Sequence, residues 1–122
     1  MTSPFIVLAC LMGACGVGLA AAAVHAAAGA GLESAAYLLL FHAVAILSTT
    51  SLAHQRLVWR PLGVVAMAGF VGGGGLFAGD ISMRAFAEHR LFPMAAPTGG
   101  TLLILSWLVL GAAAIVAMAR TR

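Results

Sequence analysis

The chain has 122 residues, of which 63% are hydrophobic and 7% charged; six Arg, no Lys and three acidic residues give a formal net charge of +3. Soluble domains average about 25% charged residues, so this composition excludes an ordinary water-soluble domain. The Arg residues are dispersed among connections and the C-terminus, which argues against a nucleic-acid-binding surface. All charged residues lie between or after four apolar runs, as expected in a lipid bilayer.

The first apolar run predicts a membrane-spanning helix over residues 5–28. No basic residue precedes it, so we expect a retained helix and not a cleaved signal peptide. Cys10 and Cys15 are five residues apart and therefore point to different helix faces, which predicts packing roles for both and no disulfide between them.

Three further apolar runs predict spans over residues 34–53, 62–79 and 99–119. Pro61 suits the first turn of the third helix, because its missing N–H is not needed there. Short connections imply antiparallel neighbours. The sequence therefore predicts one all-α domain over residues 1–122, an integral membrane up-and-down four-helix bundle.

The distribution of Arg predicts the orientation of this bundle. The side with both termini carries Arg56, Arg60, Arg120 and Arg122, whereas the opposite side carries Arg84 and Arg90. We therefore expect both termini to face the cytoplasm.

Small residues recur at helical spacing in the first and third spans. The ridges are Ala9, Gly13 and Val17; Ala14, Gly18 and Ala22; the pair Gly69 and Gly73; and the pair Gly75 and Gly79. Such ridges let helix backbones approach closely in lipid. We interpret them as packing motifs within the bundle, with a self-association surface as the alternative. The run of glycines at 72–75 also predicts a kink or a tight crossing.

Polar residues at or near the spans form the candidate functional cluster. Its members are His25, Glu33, His42, Asp80 and Arg84. His42 lies roughly 12 Å below the start of the second span, on a face of small and polar residues that should point into the bundle. The other four lie closer to the non-cytoplasmic side.

Two histidines on adjacent spans suggest haem or metal ligation. Their predicted depths differ by roughly 10 Å along the helices, which disfavours two axial ligands of one haem. We interpret His42 as a hydrogen-bonded packing residue, with a proton or quinone role as the alternative. His54 and His89 lack zinc-site spacing, and we predict no metal site, no cofactor and no catalytic residue.

The segment 80–97 is the longest connection. Asp80 with Arg84, and Arg84 with Glu88, are spaced four residues apart, so a helix would align them as ion pairs. We expect an interfacial helix whose ion pairs neutralise charge near the headgroups, with a recognition surface as the alternative. Thr98 is then expected to cap the fourth helix.

Several local motifs carry a family resemblance. They are Gly18 through His25, Glu33 followed by Phe41-His42-Ala43, Phe77-Ala78-Gly79-Asp80, and Phe92 through Gly100. With these motifs the chain resembles the domain of unknown function 423 family, which is similar to transmembrane protein 256. The resemblance implies a four-span protein of the bacterial inner membrane without an established activity.

One part of the second span departs from this family. Relatives commonly place Arg, Gln and Tyr where this chain has Tyr37, Leu39 and Phe41. We therefore expect a thinner polar network around His42.

The expected function is that of a non-catalytic accessory or structural component, which associates with other membrane proteins or with itself. The expected partners are the lipid bilayer and a homo-oligomer or larger membrane complex, without nucleic acid. The alternatives are a small transporter or channel, and a haem- or quinone-binding protein that uses His42.

Overall fold

The computed structural model describes residues 3–25 and 31–122. These residues form four helices and no strand: α1 (Ser3–His25), α2 (Leu32–His54), α3 (Arg60–Ala87) and α4 (Ala95–Arg120). Each helix has at least 23 residues and is apolar enough to cross a membrane, for which about 20 residues suffice. The predicted all-α fold is confirmed, and the chain is a multi-pass membrane protein.

The helices pack in chain order: α1 against α2, α2 against α3, and α3 against α4. Among the described residues α1 has a small contact with α3 and no comparable contact with α4. The central helices therefore hold most of the core, including the fully buried Ile46, Met67 and Phe70. The outer helices α1 and α4 expose most of their surfaces.

Contacts at glycines show that neighbouring helices are antiparallel. Along α1, Gly13 faces Ala43 and the later Gly16 faces the earlier Leu40. Likewise Gly63 of α3 faces Thr49, at the end of α2, and Gly74 faces Leu39. Helices α3 and α4 are antiparallel as well, because Gly69 faces Ser106 whereas the later Gly73 faces the earlier Gly99. The chain therefore runs up and down through the packed helices.

Helix α3 differs most from its predicted range. It does not end at Gly79 but continues to Ala87, and it passes through the glycine run at 72–75 without losing helical structure. Helix α4 starts at Ala95, four residues before its predicted start. The segment 80–97 is therefore not a separate interfacial helix: its first part belongs to α3 and its last part to α4. The end of the first predicted span, residues 26–28, lies outside the described residues.

The connection between α3 and α4 is bounded by two residues with left-handed backbone, Glu88 at φ 58° and Met94 at φ 68°. Glu88 ends α3, and the predicted ion pair between Arg84 and Glu88 is not among the salt bridges of the described residues. The expected cap at Thr98 is also wrong, because the helix begins after Met94 without a side-chain cap. Thr98 instead donates its backbone N–H to the carbonyl oxygen of Met94, at 2.9 Å.

Candidate functional site

An aromatic cluster joins the three helices α2, α3 and α4. It consists of His42, Phe70 and Trp107, one from each helix. Ring centroids are 5.3 Å apart for His42 and Phe70, 5.0 Å for Phe70 and Trp107, and 6.0 Å for His42 and Trp107. The three rings therefore form a triangle in which each contacts the other two, and Phe70, which is fully buried, is its most enclosed member.

Both ring nitrogens of His42 are used in hydrogen bonds. Nδ1 lies 2.7 Å from the carbonyl oxygen of Leu38, and Nε2 lies 3.1 Å from Nε1 of Trp107. A carbonyl oxygen only accepts and an indole N–H only donates. The imidazole is therefore neutral, with its proton on Nδ1 donated to Leu38 and its Nε2 accepting from Trp107. This is the geometry of a hydrogen-bonded packing residue on a buried face.

The structure does not bring His25 and His42 together as a ligand pair. His25 is the last residue of α1 and is exposed, whereas His42 is 5% exposed and lies near the middle of α2. His42 precedes Ala43, which faces Gly13, and His25 lies about 18 Å beyond Gly13 along α1. In addition, a metal ion at His42 would have to displace the hydrogen bond from Trp107.

Hydroxyl groups inside the helices are also satisfied locally. Thr49, Thr50 and Ser106 each donate to the carbonyl oxygen four residues earlier, at 2.7 to 2.9 Å. No buried side-chain nitrogen or oxygen of the described residues lacks a hydrogen-bond partner. A bilayer requires such internal pairing, because lipid tails offer no hydrogen bonds.

A groove of about 550 Å³ opens between α2 and α4 beside the aromatic cluster. His42 and Trp107 lie at its edge, and Ser48 and Thr49 add two hydroxyl groups to a mostly apolar lining. Its volume is within the range of small-molecule pockets, which span about 300 to 1,000 Å³. Since Thr49 donates to its own helix and His42 uses both nitrogens, the groove offers mainly apolar contact.

Asp80 links α3 to the following connection. Its side chain is 2% exposed; Oδ2 lies 3.0 Å from Nη2 of Arg84, and Oδ1 accepts the backbone N–H of Leu91 at 3.0 Å. Leu91 also packs against Gly79. A buried carboxylate needs such partners because its desolvation is costly. Asp80 and Arg84 thus hold the connection against the end of α3.

The five residues of the predicted cluster occupy several places. Asp80 and Arg84 form a pair, whereas Glu33 accepts a hydrogen bond from Tyr37 on the exposed face of α2, at 3.1 Å. Gly31 faces Ile81, so Glu33 and Asp80 lie at the same end of the molecule. His42 contacts neither of these groups in the hydrogen bonds of the described residues.

Of the four predicted packing glycines, two face another helix and two do not. Gly69 and Gly73 face α4, where a Cβ added to Gly73 would lie 2.8 Å from the carbonyl oxygen of Gly99. Gly79 packs under Leu91, and Gly75 has nothing within 4 Å. The pair Gly69 and Gly73 therefore brings α3 and α4 close together, while the pair Gly75 and Gly79 does not face another helix.

The ridges of α1 are partly reassigned. Ala9 and Gly13 face α2 as one predicted ridge requires, but Val17 is 62% exposed and Gly16 takes its place in the contact. The second ridge divides: Ala14 and Gly18 are exposed, whereas Ala22 is half-buried and packs against the core. Cys10 and Cys15 are free and exposed, so they do not pack inside the chain as expected.

Trp107 is the residue of this region that the sequence did not single out. It is 65 residues from His42 in the chain, so no local spacing signals their hydrogen bond. The sequence shows that Trp107 and His42 both lie within apolar runs, where an N–H donor and an imidazole each need a partner. It does not show that α2 and α4 lie side by side, which is needed to pair them.

No curated protein and no solved structure matches the chain. A family described as "Protein of unknown function (DUF423)" matches residues 12–100. The matched range includes His42, Phe70, Asp80 and Gly99, and it ends before Trp107. Because this match extends over most of the chain and agrees with four membrane-spanning helices, the protein belongs to the DUF423 family.

Proposed function

We propose that this protein is a non-catalytic accessory or structural component of the bacterial inner membrane, with both termini in the cytoplasm, which self-associates through α1. The outward face of α1 is the observation that carries the proposal. Only Ala9, Met12 and Gly16 are buried among the 23 residues of this helix. The remaining surface is available to another helix or to lipid.

A stripe of small residues follows the exposed side of α1. It consists of Cys10, Ala14, Gly18 and Ala21, all exposed and spaced by four, four and three residues. A Cβ added to Gly18 would meet nothing within 4 Å. Contact with lipid tails does not require small side chains. Helix interfaces in membranes are enriched in them, because small side chains let two backbones approach closely. We call these four residues the α1 stripe.

A second copy of the chain is the partner that fits the α1 stripe best. Two identical small-residue stripes are complementary to each other across a two-fold axis, so one contact buries both. A helix with large side chains would instead hold the backbones apart.

The state of His42 supports a non-catalytic role. An ionisable residue inside a membrane span is by default a candidate for transport or catalysis. Here both of its nitrogens are engaged with Leu38 and Trp107, and the imidazole fastens α2 to α4. The side chain therefore already has a structural task.

Disulfide trapping in native membranes tests the self-association. In a Cys15→Ser background, oxidation should link Cys10 of two copies, giving a dimer on non-reducing gels that reductant removes. Gly18→Leu should abolish this product, because a large side chain separates the stripes. Val17→Leu is the matched control, since Val17 is exposed beside the stripe and should leave the dimer unchanged.

Two results would overturn the proposal. The first is a cross-linked product that is equal in the Gly18→Leu and Val17→Leu variants, or that contains only a different protein. The second is a haem absorption band, or His42-dependent solute flux in liposomes, in the purified wild-type chain. A haem band would assign the protein to the redox class, and His42-dependent flux would assign it to the transport class.

A further inference from the structure

A second cavity lies at the opposite end of the helices from Asp80. Its volume is about 660 Å³, and it lies between the ends of α2 and α4 and the start of α3. Its rim carries His54, Arg56, Arg60 and Arg120. We call this cavity the basic pocket.

None of the arginines on this rim forms a salt bridge with an acidic side chain of the described residues. The one salt bridge among residues 3–25 and 31–122 joins Arg84 to Asp80 at the other end. The acidic residues of the whole sequence are Glu33, Asp80 and Glu88. Gly31 faces Ile81, which places all three at the end where α3 finishes. No acidic side chain of this sequence therefore lies at the end of the molecule that holds the basic pocket.

The floor of the basic pocket is apolar and well anchored. Ala53, Val58 and Ala117 are buried, and Trp59 is half-buried. The backbone N–H of Trp59 donates to the carbonyl oxygen of Ala113 at 2.9 Å, which ties the α2–α3 turn to α4. The pocket thus joins a cationic rim to an apolar base.

This framework holds the side chain of one arginine and the backbone of another. The guanidinium of Arg120 lies over the indole of Trp59, 5.4 Å from the ring centroid. Arg56 has left-handed backbone at φ 63°, and its N–H donates to the carbonyl oxygen of Ala53 at 3.2 Å. A left-handed non-glycine residue is uncommon and is kept only where its surroundings fix it. The backbone at Arg56 and the guanidinium of Arg120 are therefore positioned before any ligand binds.

We propose that the basic pocket binds a phosphate group, which the headgroup of an anionic phospholipid supplies. Guanidinium groups bind phosphate oxygens through paired, charge-assisted hydrogen bonds. The apolar floor suits the glycerol and first methylene groups that follow a lipid phosphate, which a free phosphate ion lacks. The pocket also lies at helix ends beside a Trp, the level at which headgroups are found. This inference is independent of association through α1.

Lipid binding to the purified full-length chain tests the proposal. In neutral detergent, phosphatidylglycerol should remain bound in native mass spectra and should raise the melting temperature, more than phosphatidylcholine does. The Arg56→Gln, Arg60→Gln double variant should bind phosphatidylglycerol at least about tenfold more weakly, because two charge-assisted contacts are lost. Arg90→Gln removes one charge at the opposite end of the molecule and should bind as the wild type does, whereas Arg56→Gln alone, its single-charge counterpart in the pocket, should weaken binding.

A competition experiment distinguishes a lipid phosphate from a free phosphate ion. Millimolar inorganic phosphate should leave phosphatidylglycerol binding nearly unchanged, because it cannot use the apolar floor. Protection by inorganic phosphate equal to that by the lipid would overturn the lipid assignment. Equal phosphatidylglycerol affinity of the Arg56→Gln and Arg90→Gln variants would overturn the pocket itself. Arg120→Lys, which keeps the charge, provides a second folded variant in which weakened but measurable binding is expected.

Discussion

Trp107 donates its indole N–H to Nε2 of His42 at 3.1 Å, and this bond joins α4 directly to α2, although α3 lies between them in the sequence. The helices otherwise pack chiefly against their neighbours in the chain. The bond is therefore a contact that skips one helix. It also keeps the imidazole in the tautomer that donates to Leu38.

Breaking this bond from either side should destabilise the protein. We expect Trp107→Phe and His42→Leu each to cost about 1 kcal/mol or more, because each leaves one polar partner unpaired where water is absent. The double variant should cost less than the sum of the two by about 1 kcal/mol. Unfolding in a mixed-detergent titration, followed by far-UV circular dichroism, measures this difference. Leu108→Ala is the control, since Leu108 is 66% exposed; strictly additive single effects would contradict the coupling.

Substitutions at Asp80 should separate its charge from its hydrogen-bond acceptor. Asp80→Asn keeps an oxygen for the N–H of Leu91 and loses the ion pair with Arg84, which is 41% exposed and thus partly screened. Asp80→Ala loses both and should cost about 2 kcal/mol.

Trypsin cleavage after Arg90 reports on the same link. It should accelerate strongly in Asp80→Ala and only slightly in Asp80→Asn, because the connection is released in the first case. Glu88→Gln should cleave as the wild type does, since Glu88 belongs to no salt bridge of the described residues. Equal cleavage rates for Asp80→Ala and Glu88→Gln would refute the role of Asp80.

The glycines of α3 should respond in opposite ways to alanine. A Cβ at Gly73 would lie 3.0 Å from Leu103 and closer still to the backbone of α4, so Gly73→Ala should cost about 2 kcal/mol. Gly72→Ala and Gly75→Ala meet no atom within 4 Å and should be neutral or stabilise by up to about 1 kcal/mol. Melting temperatures in one detergent compare all three. A stable Gly73→Ala variant would mean that α3 and α4 are less closely packed than described.

The proposed orientation predicts which connection is accessible from each side. With both native cysteines replaced by serine, His89→Cys should react with an impermeant maleimide added to intact spheroplasts. Gln55→Cys should react only after the membrane is permeabilised. The reverse pattern would place both termini outside.

The existence of four helices could be predicted from the sequence because lipid imposes long apolar runs. The end of α3 could not, because Asp80 and Arg84 looked like a break in the apolar pattern. In the structure Arg84 and the N–H of Leu91 satisfy the carboxylate, so the helix continues past it to Ala87. A charge ends an apolar run, but it does not by itself end a helix.

The sites were harder to predict because they depend on residues far apart in the chain. Arg56 and Arg120 are dispersed in the sequence, yet antiparallel packing places both on the rim of one cavity. The outward direction of Gly18 likewise depends on which side of α1 meets α2. Spacing alone identifies a ridge of small residues but does not say which neighbour it faces.

The packing of each helix against its predecessor has a consequence for biosynthesis. When α2 enters the membrane, its main partner α1 is already there, and the same holds for α3 and then α4. Mostly local contacts are also the kind that assemble fast. Insertion of this polypeptide can therefore proceed hairpin by hairpin. The Trp107–His42 bond forms last, together with the other contacts of α4, and it differs from most of them because it joins α4 to α2 and not to the preceding helix.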